Sequence, residues 1–560
     1  VLVASLSALC LLLSVEASAQ PRRPTPAPPK TGRQQQQAQA PRTDSSPLVR
    51  EAAAQLQAGQ LAEAETTARK AIVSTPRDPS AHALLGVILD QRGQAEEAER
   101  ELRAALKLDP QSVGALTNLG VLLVRTKRAD EAIKVFTEAL RLAPDHAQAM
   151  YNLALLYSAR RDYARAIPLF ERMAGGPGAQ ATTDAGLLLA LADAYAHAGR
   201  AVDAAQLADT IERRAGADPR VLFTLGLALA DAGLYERAAH LFASTDQLRP
   251  NTYEVLYNLG VALFNLDRLD EARGALQQAA TLGPNEPDVF YRLGLVASAK
   301  GESENALGLW QRVLVLKPQY PAANFMIAEE LVRNQRSERA VPFYESAVAQ
   351  DQSKPIYYAR LGVAHFRARR YQQARQMFEQ ALARFPNDAT LYFLAGYAAR
   401  AEGQFDVAIK DFQRSVELQP DNAATYANLG FLASERGQPA EAERLLRRAL
   451  ALDPDNYPAT YDLGRLLVRL KRYDEALPVL ERGARLGQED PGIHYQLFLV
   501  HTRLGRKADA ARALATFKQL DEARKSGDTG GMGPKNGTEL PPPPDAAKPG
   551  APPGPRPPEF

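Results

Sequence analysis

The sequence predicts an all-α fold, a solenoid of about fourteen helical hairpins. Three observations carry the prediction. Alanines recur every 34 residues over most of the chain, small residues stand at a fixed distance ahead of them, and apolar positions within each period are spaced by three and four. The 560 residues are 46% apolar and 24% charged, a composition that excludes a wholly disordered chain. Lys plus Arg is 67 and Asp plus Glu is 65. So balanced a charge argues against nucleic acid as the main partner. Cys10 is the single cysteine, so intrachain disulfides and cysteine-ligated zinc or iron–sulfur sites are excluded.

Residues 1–19 read as a secretory signal peptide. Val1 to Val15 is apolar apart from three serines, and Ala17-Ser18-Ala19 supplies an A-x-A cleavage pattern. The stretch is too short for a membrane span, which needs about 20 residues. Its basic n-region is missing and it opens on Val, so the signal reads as incomplete at its start. Leu9 ahead of Cys10 counts against a lipoprotein signal. The protein is expected to be exported, periplasmic or secreted, or cytoplasmic if the signal is not functional. Residues 20–44, with six prolines and the run Gln34–Gln37, read as a disordered linker. Residues 525–560 carry eleven prolines and seven glycines and read as a disordered tail.

Residues 45–524 hold the repeats. Alanine stands at 64, 98, 132, 166, 204, 238, 272, 306, 340, 374, 408, 442, 476 and 510. Every step is 34 except one of 38, after Ala166. Twelve residues ahead of each is Gly or Ala, as at Gly120, Gly260, Gly294 and Gly464, save for Phe498 in the last unit. Units 1–4 fill 45–180, an insertion occupies 181–184, and units 5–14 fill 185–524. Two amphipathic helices, A and B, fit each unit. The small eighth place and the twentieth-place Ala let them approach closely. Gly59, Gly93, Gly199, Gly233, Gly301, Gly403, Gly437 and Gly505 are placed to end helix A in the left-handed conformation. Proline at the thirty-second place, as at Pro110, stops helix B. Pro168, Pro342 and Pro478 are expected to kink their B helices mildly. The Gly/Pro-rich stretch 174–184 is expected to be a loop between units 1–4 and 5–14, either a hinge or a surface bulge. Phe517 and Leu520 are expected to help seal the end of the stack.

In unit 113–146 the pattern reads Leu116-x2-Leu119-Gly120-x2-Leu123, then Ala132-x3-Phe136-x2-Ala139, then Pro144. This resembles the tetratricopeptide repeat family, with Leu where the family's usual Trp and Tyr stand. The resemblance covers residues 45–524. It implies a right-handed superhelix with helix A lining a concave groove, in which proteins or extended peptides bind.

No Walker loop, G-x-G-x-x-G element, H-E-x-x-H pair or G-x-S-x-G elbow appears. His494 and His501 fall on packing places of one helix and read as structural. No enzyme activity, cofactor or metal is therefore expected. The candidate groove residues lie at places 2, 5, 6, 9, 12 and 13. The fifth place is aromatic in eight units: Tyr151, Phe223, Tyr257, Tyr291, Phe325, Phe393, Tyr461 and Tyr495. A ligand-facing role is expected of them over a core role. Asn118, Asn152, Asn258 and Asn428 at the sixth place can bond a peptide backbone. They resemble in part the asparagine ladder of the O-GlcNAc transferase superhelix. In units 1–7 groove charges nearly cancel, Arg50, Arg125 and Arg220 standing against Asp90, Asp193, Asp231 and Glu254. In units 8–14 Arg292, Arg333, Arg360, Arg367, Arg400, Arg465, Arg469 and Arg503 outnumber Asp288, Glu329, Glu435 and Asp462. Either these arginines pair with acids of neighbouring units, or the groove prefers acidic ligands. The clamp by which chaperone-binding relatives hold a terminal carboxylate is absent: Ala83, Val87, Gln148 and Asn152 stand around Asn118, and around Asn258 only Arg292 fits.

The reading is an exported, non-catalytic scaffold that binds proteins or extended peptides, acidic segments among them. Two alternatives stay open. One is a substrate-recruiting subunit of an envelope enzyme such as a glycosyltransferase or protease. The other is a structural spacer in envelope or secretion assembly.

Overall fold

Each 34-residue period folds as two helices because one position in it leaves the helical region. The computed structural model describes residues 46–175, 184–215 and 218–526. In all fourteen repeats the fifteenth place is left-handed. The eight glycines anticipated there have φ between +70° and +81°, and Lys127, Arg161, Asp267, Gln335, Arg369 and Lys471 take the same turn at +58° to +63°. An L-residue there costs roughly 1–2 kcal/mol. Six repeats accept that cost, so packing of the two helices imposes the turn and glycine only eases it.

Twenty-eight helices result among the described residues, with no strand. A helices mostly span 13 residues, as in Pro79–Gln91, and B helices mostly 14, as in Ala95–Leu108. The side chains of Asp78, Ser112, Asp184, Asp218, Asp388, Asn422, Asn456 and Asp490 cap A helices by accepting first-turn N–H groups. The helices containing Pro168, Pro342 and Pro478 run through them without interruption. The last helix, Lys507–Ser526, continues two residues into the expected tail. No described helix is long and apolar enough to cross a membrane.

The register carries the core. The twentieth-place alanines are fully buried through Ala476. The eighth-place glycines face the large twenty-fourth-place side chain of helix B. A Cβ on Gly120 would stand 2.5 Å from the Phe136 ring, and one on Gly260 2.5 Å from Leu276 Cγ and 3.2 Å from the Ala272 carbonyl oxygen. The glycine thus makes room for a bulky partner four residues beyond the alanine. Fully buried Trp310 is such a partner, and its Nε1–H donates to the Tyr291 carbonyl at 3.2 Å.

The described chain divides into two compact units, one ending at Leu282 and one starting at Gly283. In the first, Arg128 reaches back to Glu99 of the preceding repeat at 2.8 Å and forward to Glu131 at 2.6 Å. In the second, Arg472 bridges Glu443 and Glu475 in the same way, both at 2.7 Å. In the first unit, too, the helix Tyr163–Ala174 ends on left-handed Gly175, and 176–183 lie outside the described residues. Repeats four and five still pack directly. Tyr195 Oη donates to Glu171 Oε1 at 2.7 Å, Arg200 pairs with Glu171 at 3.2 Å, and the Tyr163 ring stacks on His197 at 5.6 Å. The expected signal segment with Cys10, the linker and all of the expected tail beyond Ser526 also lie outside the described residues.

Candidate partner-binding face

Places 6, 9 and 13 of an A helix are three and four apart, so they form one row. Places 5 and 8 form another, and the eighth-place glycine fixes that second row against helix B.

The fifth-place rings follow the glycine, which corrects the expectation that they face a ligand. Tyr257 and Tyr291 are 1% exposed, Phe325 3% and Phe393 4%. They pack across the hairpin or on neighbouring rings. Phe325 lies 5.8 Å from Tyr344 and 4.8 Å from Tyr357, Phe393 lies 5.8 Å from Phe412, and Tyr291 lies 5.4 Å from Tyr320. Tyr461 is half-buried. Tyr495 is 40% exposed and packs 5.3 Å from Phe517 of the last helix.

The asparagines stand on the other row. In the first unit Asn258 Nδ2 donates to the Glu254 carbonyl at 2.7 Å, and Asn152 Nδ2 to that of Gln148 at 2.8 Å. In the second, Asn428 Nδ2 donates to the Ala424 carbonyl at 2.8 Å, and its buried Oδ1 meets no donor. Because a carbonyl can only accept, these bonds fix the amides with nitrogen toward that carbonyl and oxygen on the opposite side.

The arginines of the second unit divide. Arg333 pairs with buried Glu330 at 2.8 Å and donates to Ser298 Oγ at 2.8 Å. Arg360 lies 3.3 Å from Glu329, which also accepts a short bond from Tyr344 Oη. Arg292 is buried. Arg465 meets Glu435 at 3.2 Å and Asp462 at 3.3 Å, and Arg469 donates to the Ser434 carbonyl at 3.0 Å. Pairing with acids therefore accounts for Arg333, Arg360 and Arg465, and in part for Arg469, which lies 3.9 Å from Glu435. Arg367 is different: it is exposed and makes no ion pair among the described residues. Arg400 stacks its guanidinium on Tyr397 at 4.6 Å and Phe431 at 5.0 Å, and Arg465 lies 5.6 Å from the same Phe431 ring. Burial disfavours charge on Arg400. It also pushes the Asp462 carboxyl up to about 6, against the pull of Arg465 and Arg400. Phe431 was not singled out in the sequence. Its signal was its ninth place, between the arginine-bearing places of adjacent repeats.

In the first unit the corresponding row holds His197. Hydrogen bonding to Asp193, helped by Asp231 at 3.1 Å, pushes it up to about 9, so it carries charge at neutral pH. Among the described residues no cluster of three His, Cys, Asp or Glu side chains could hold a metal ion. His494 Nε2 lies 3.2 Å from the Gln488 carbonyl, and His501 is buried.

The tetratricopeptide repeat family matches residues 49–113, 112–173, 223–287, 291–355, 360–423, 399–449 and 433–499. No curated protein matches the chain. Among solved structures, the Naa15/Naa10 complex bound to HypK is similar at 19% identity, over 86% of this chain and 76% of that one, with a TM-score of 0.33. Yeast Tom70 is similar at 15% identity, over 80% and 97%, with a TM-score of 0.33. The C-terminal part of a repeat-containing protein from Cytophaga hutchinsonii is similar at 18%, over 43% and 99%, with a TM-score of 0.38. Paired helices in a fixed 34-residue register and sequence matches along most of their length give one conclusion: the chain belongs to the tetratricopeptide repeat family, a protein-binding scaffold.

Proposed function

We propose that this chain is an exported scaffold that holds partner proteins through extended segments laid along the 6-9-13 rows of its A helices, with no reaction of its own. The observation that carries the reading is Asn428. Its Oδ1 is buried without a donor while its Nδ2 is occupied by the Ala424 carbonyl. An unmet buried acceptor costs about 1–3 kcal/mol, and a backbone N–H of a bound segment would meet it once a small side-chain rotation uncovers the oxygen. Asn258 has the same orientation in the first unit. Arg367, exposed and unpaired seven residues from Arg360, gives the second unit a preference for acidic segments.

The test is a peptide array probed with the full chain. Wild type should favour acidic over basic segments and weaken with salt, because exposed charges are screened beyond about 10 Å at roughly 0.1 M. Asn428→Ala should weaken binding to all sequences alike, and Arg367→Glu should weaken acidic ones selectively. An array that retains nothing, or a basic preference, would remove the reading. Export is tested separately by sequencing the mature N-terminus, which should begin at Gln20.

A further inference from the structure

The inference rests on that reading and sharpens it, and it starts from two arginines gathered at one ring of the second unit. Arg400 and Arg465 come from different A helices, Ala389–Ala401 and Tyr457–Arg469. Both guanidinium groups lie against one ring, Phe431, on the A helix between them. Asp462 meets Arg465 at 3.3 Å and feels Arg400 electrostatically. The cluster opens outward. Side-chain exposure rises from 14% at Asp462 to 28% at Arg465, 36% at Glu435 and 50% at Arg469. An incoming group therefore reaches Arg469 and Glu435 first and Arg465 next.

We propose that Arg400, Phe431 and Arg465 form a subsite for a carboxylate of the partner, and that Asp462, with Glu435 beside it on Arg465, is the internal carboxylate occupying it when no partner is bound. The ring meets both guanidinium groups, and Arg465 already shows the N–H edge that bonds an acid, in its contacts with Glu435 and Asp462. Asp462 supplies that acid poorly. It is largely enclosed, so it bears its charge at a desolvation cost that a carboxylate arriving from solvent on a longer tether shares less. A partner's acid also adds negative charge beside Asp462 and favours its protonation. Binding then takes up a proton, and affinity rises as pH falls through the range where Asp462 titrates. The charged groups facing Asp462 are Arg465 on its own helix and Arg400 and Glu435 on the preceding A helices. The nearest acid from the following repeat, Asp490, is engaged by Tyr457 Oη at 2.6 Å.

The experiment uses the full chain and a labelled, C-terminally amidated peptide of alternating aspartate and tyrosine. Its asparagine counterpart with a free C-terminus is the second arm. Wild type should bind the aspartate peptide several-fold more tightly at pH 5.5 than at pH 7.5, where the peptide's own aspartates stay ionised. Asp462→Asn, nearly isosteric, should bind about tenfold more tightly at pH 7.5 and lose the pH dependence. Arg465→Gln should bind about tenfold more weakly. Arg400→Gln serves as a second variant, with thermal melts confirming that each protein folds. If the asparagine peptide binds as well as the aspartate peptide and shows the same variant effects, the subsite reads a terminal carboxylate. If the aspartate peptide binds but neither Asp462→Asn nor Arg465→Gln changes its affinity or pH profile, the subsite is overturned and the broader acidic preference survives. If it binds at neither pH, even to Asp462→Asn, both are overturned.

Discussion

Gly260 and Leu276 meet so closely across their hairpin that a Cβ on the glycine would stand 2.5 Å from Leu276 Cγ. The Ala272 carbonyl, 3.2 Å from the same point, closes the other side. Gly260→Leu should therefore force the helices apart and cost at least about 1–3 kcal/mol from overpacking. Repeats couple mainly to their neighbours, so protection from hydrogen exchange should fall there first. Urea denaturation reads the loss, and an unchanged midpoint would mean that the packing register is wrong.

The left-handed turn gives a prediction of opposite signs. Lys471 holds φ +60° and Gly301 holds +75°. Lys471→Gly relieves a Cβ clash but gives up some chain entropy on folding, so it should gain up to about 1 kcal/mol. Gly301→Val puts a β-branched residue into the same turn and should cost more than that. Thermal melts that move both variants in the same direction would contradict the shared turn.

These two places show why the fold was legible in the sequence while the site was only partly so. Helix contact leaves room for one kind of residue, so Gly260, Ala272 and their equivalents print the period directly. The fifth-place rings were misread, although the signal was present. Tyr291 is three residues before Gly294 and shares its face, and that face meets helix B. Asn258 and Asn428 stand at place 6, off that face, yet both are buried and turn Nδ2 back to their own helix. Pairing of the arginines with acids of neighbouring repeats, Glu329 among them, was one of two open readings, but which arginine takes which acid was not legible. Arg360 reaches Glu329 across 31 positions, Arg465 reaches Glu435 across 30, and Arg333 turns back three residues to Glu330. Long side chains choose among such acids by local geometry, which the period does not encode.

His365 supplies a pH test. Burial holds its imidazole below the ordinary histidine range, Arg370 adds to that, and Glu345 opposes it only in part. The folded state thus favours the neutral ring. The stability this contributes is present above the unfolded value of about 6.5 and is lost as pH falls below it, because the unfolded chain takes up the proton more readily. Between pH 7.5 and pH 5 the urea midpoint of wild type should fall more than that of His365→Leu. Parallel profiles would mean that His365 charges freely within the fold.

The carboxylate of Glu330 is fully buried, yet it is satisfied on every side. It accepts from Ser298 Oγ at 2.7 Å and Ser303 Oγ at 2.5 Å in the preceding repeat, and from Arg333 at 2.8 Å on its own helix. Arg333 was a candidate ligand contact, and this geometry gives it a different task. Its side chain is half exposed, so removing it uncovers little apolar surface, but the buried carboxylate then keeps only two neutral donors. Arg333→Ala should destabilise the second unit by more than the 0–1 kcal/mol typical of a surface pair. Glu330→Ala should cost about 3–5 kcal/mol, since it opens a cavity and strands the two hydroxyls. Replacing the network together, Ser298→Ala and Ser303→Ala with Glu330→Met, removes donors and acceptor at once and should recover most of that loss. A double-mutant cycle between Arg333 and Glu330 in urea checks the account. If Arg333→Ala leaves stability unchanged but weakens binding of acidic peptides, Arg333 belongs to the partner-binding row after all.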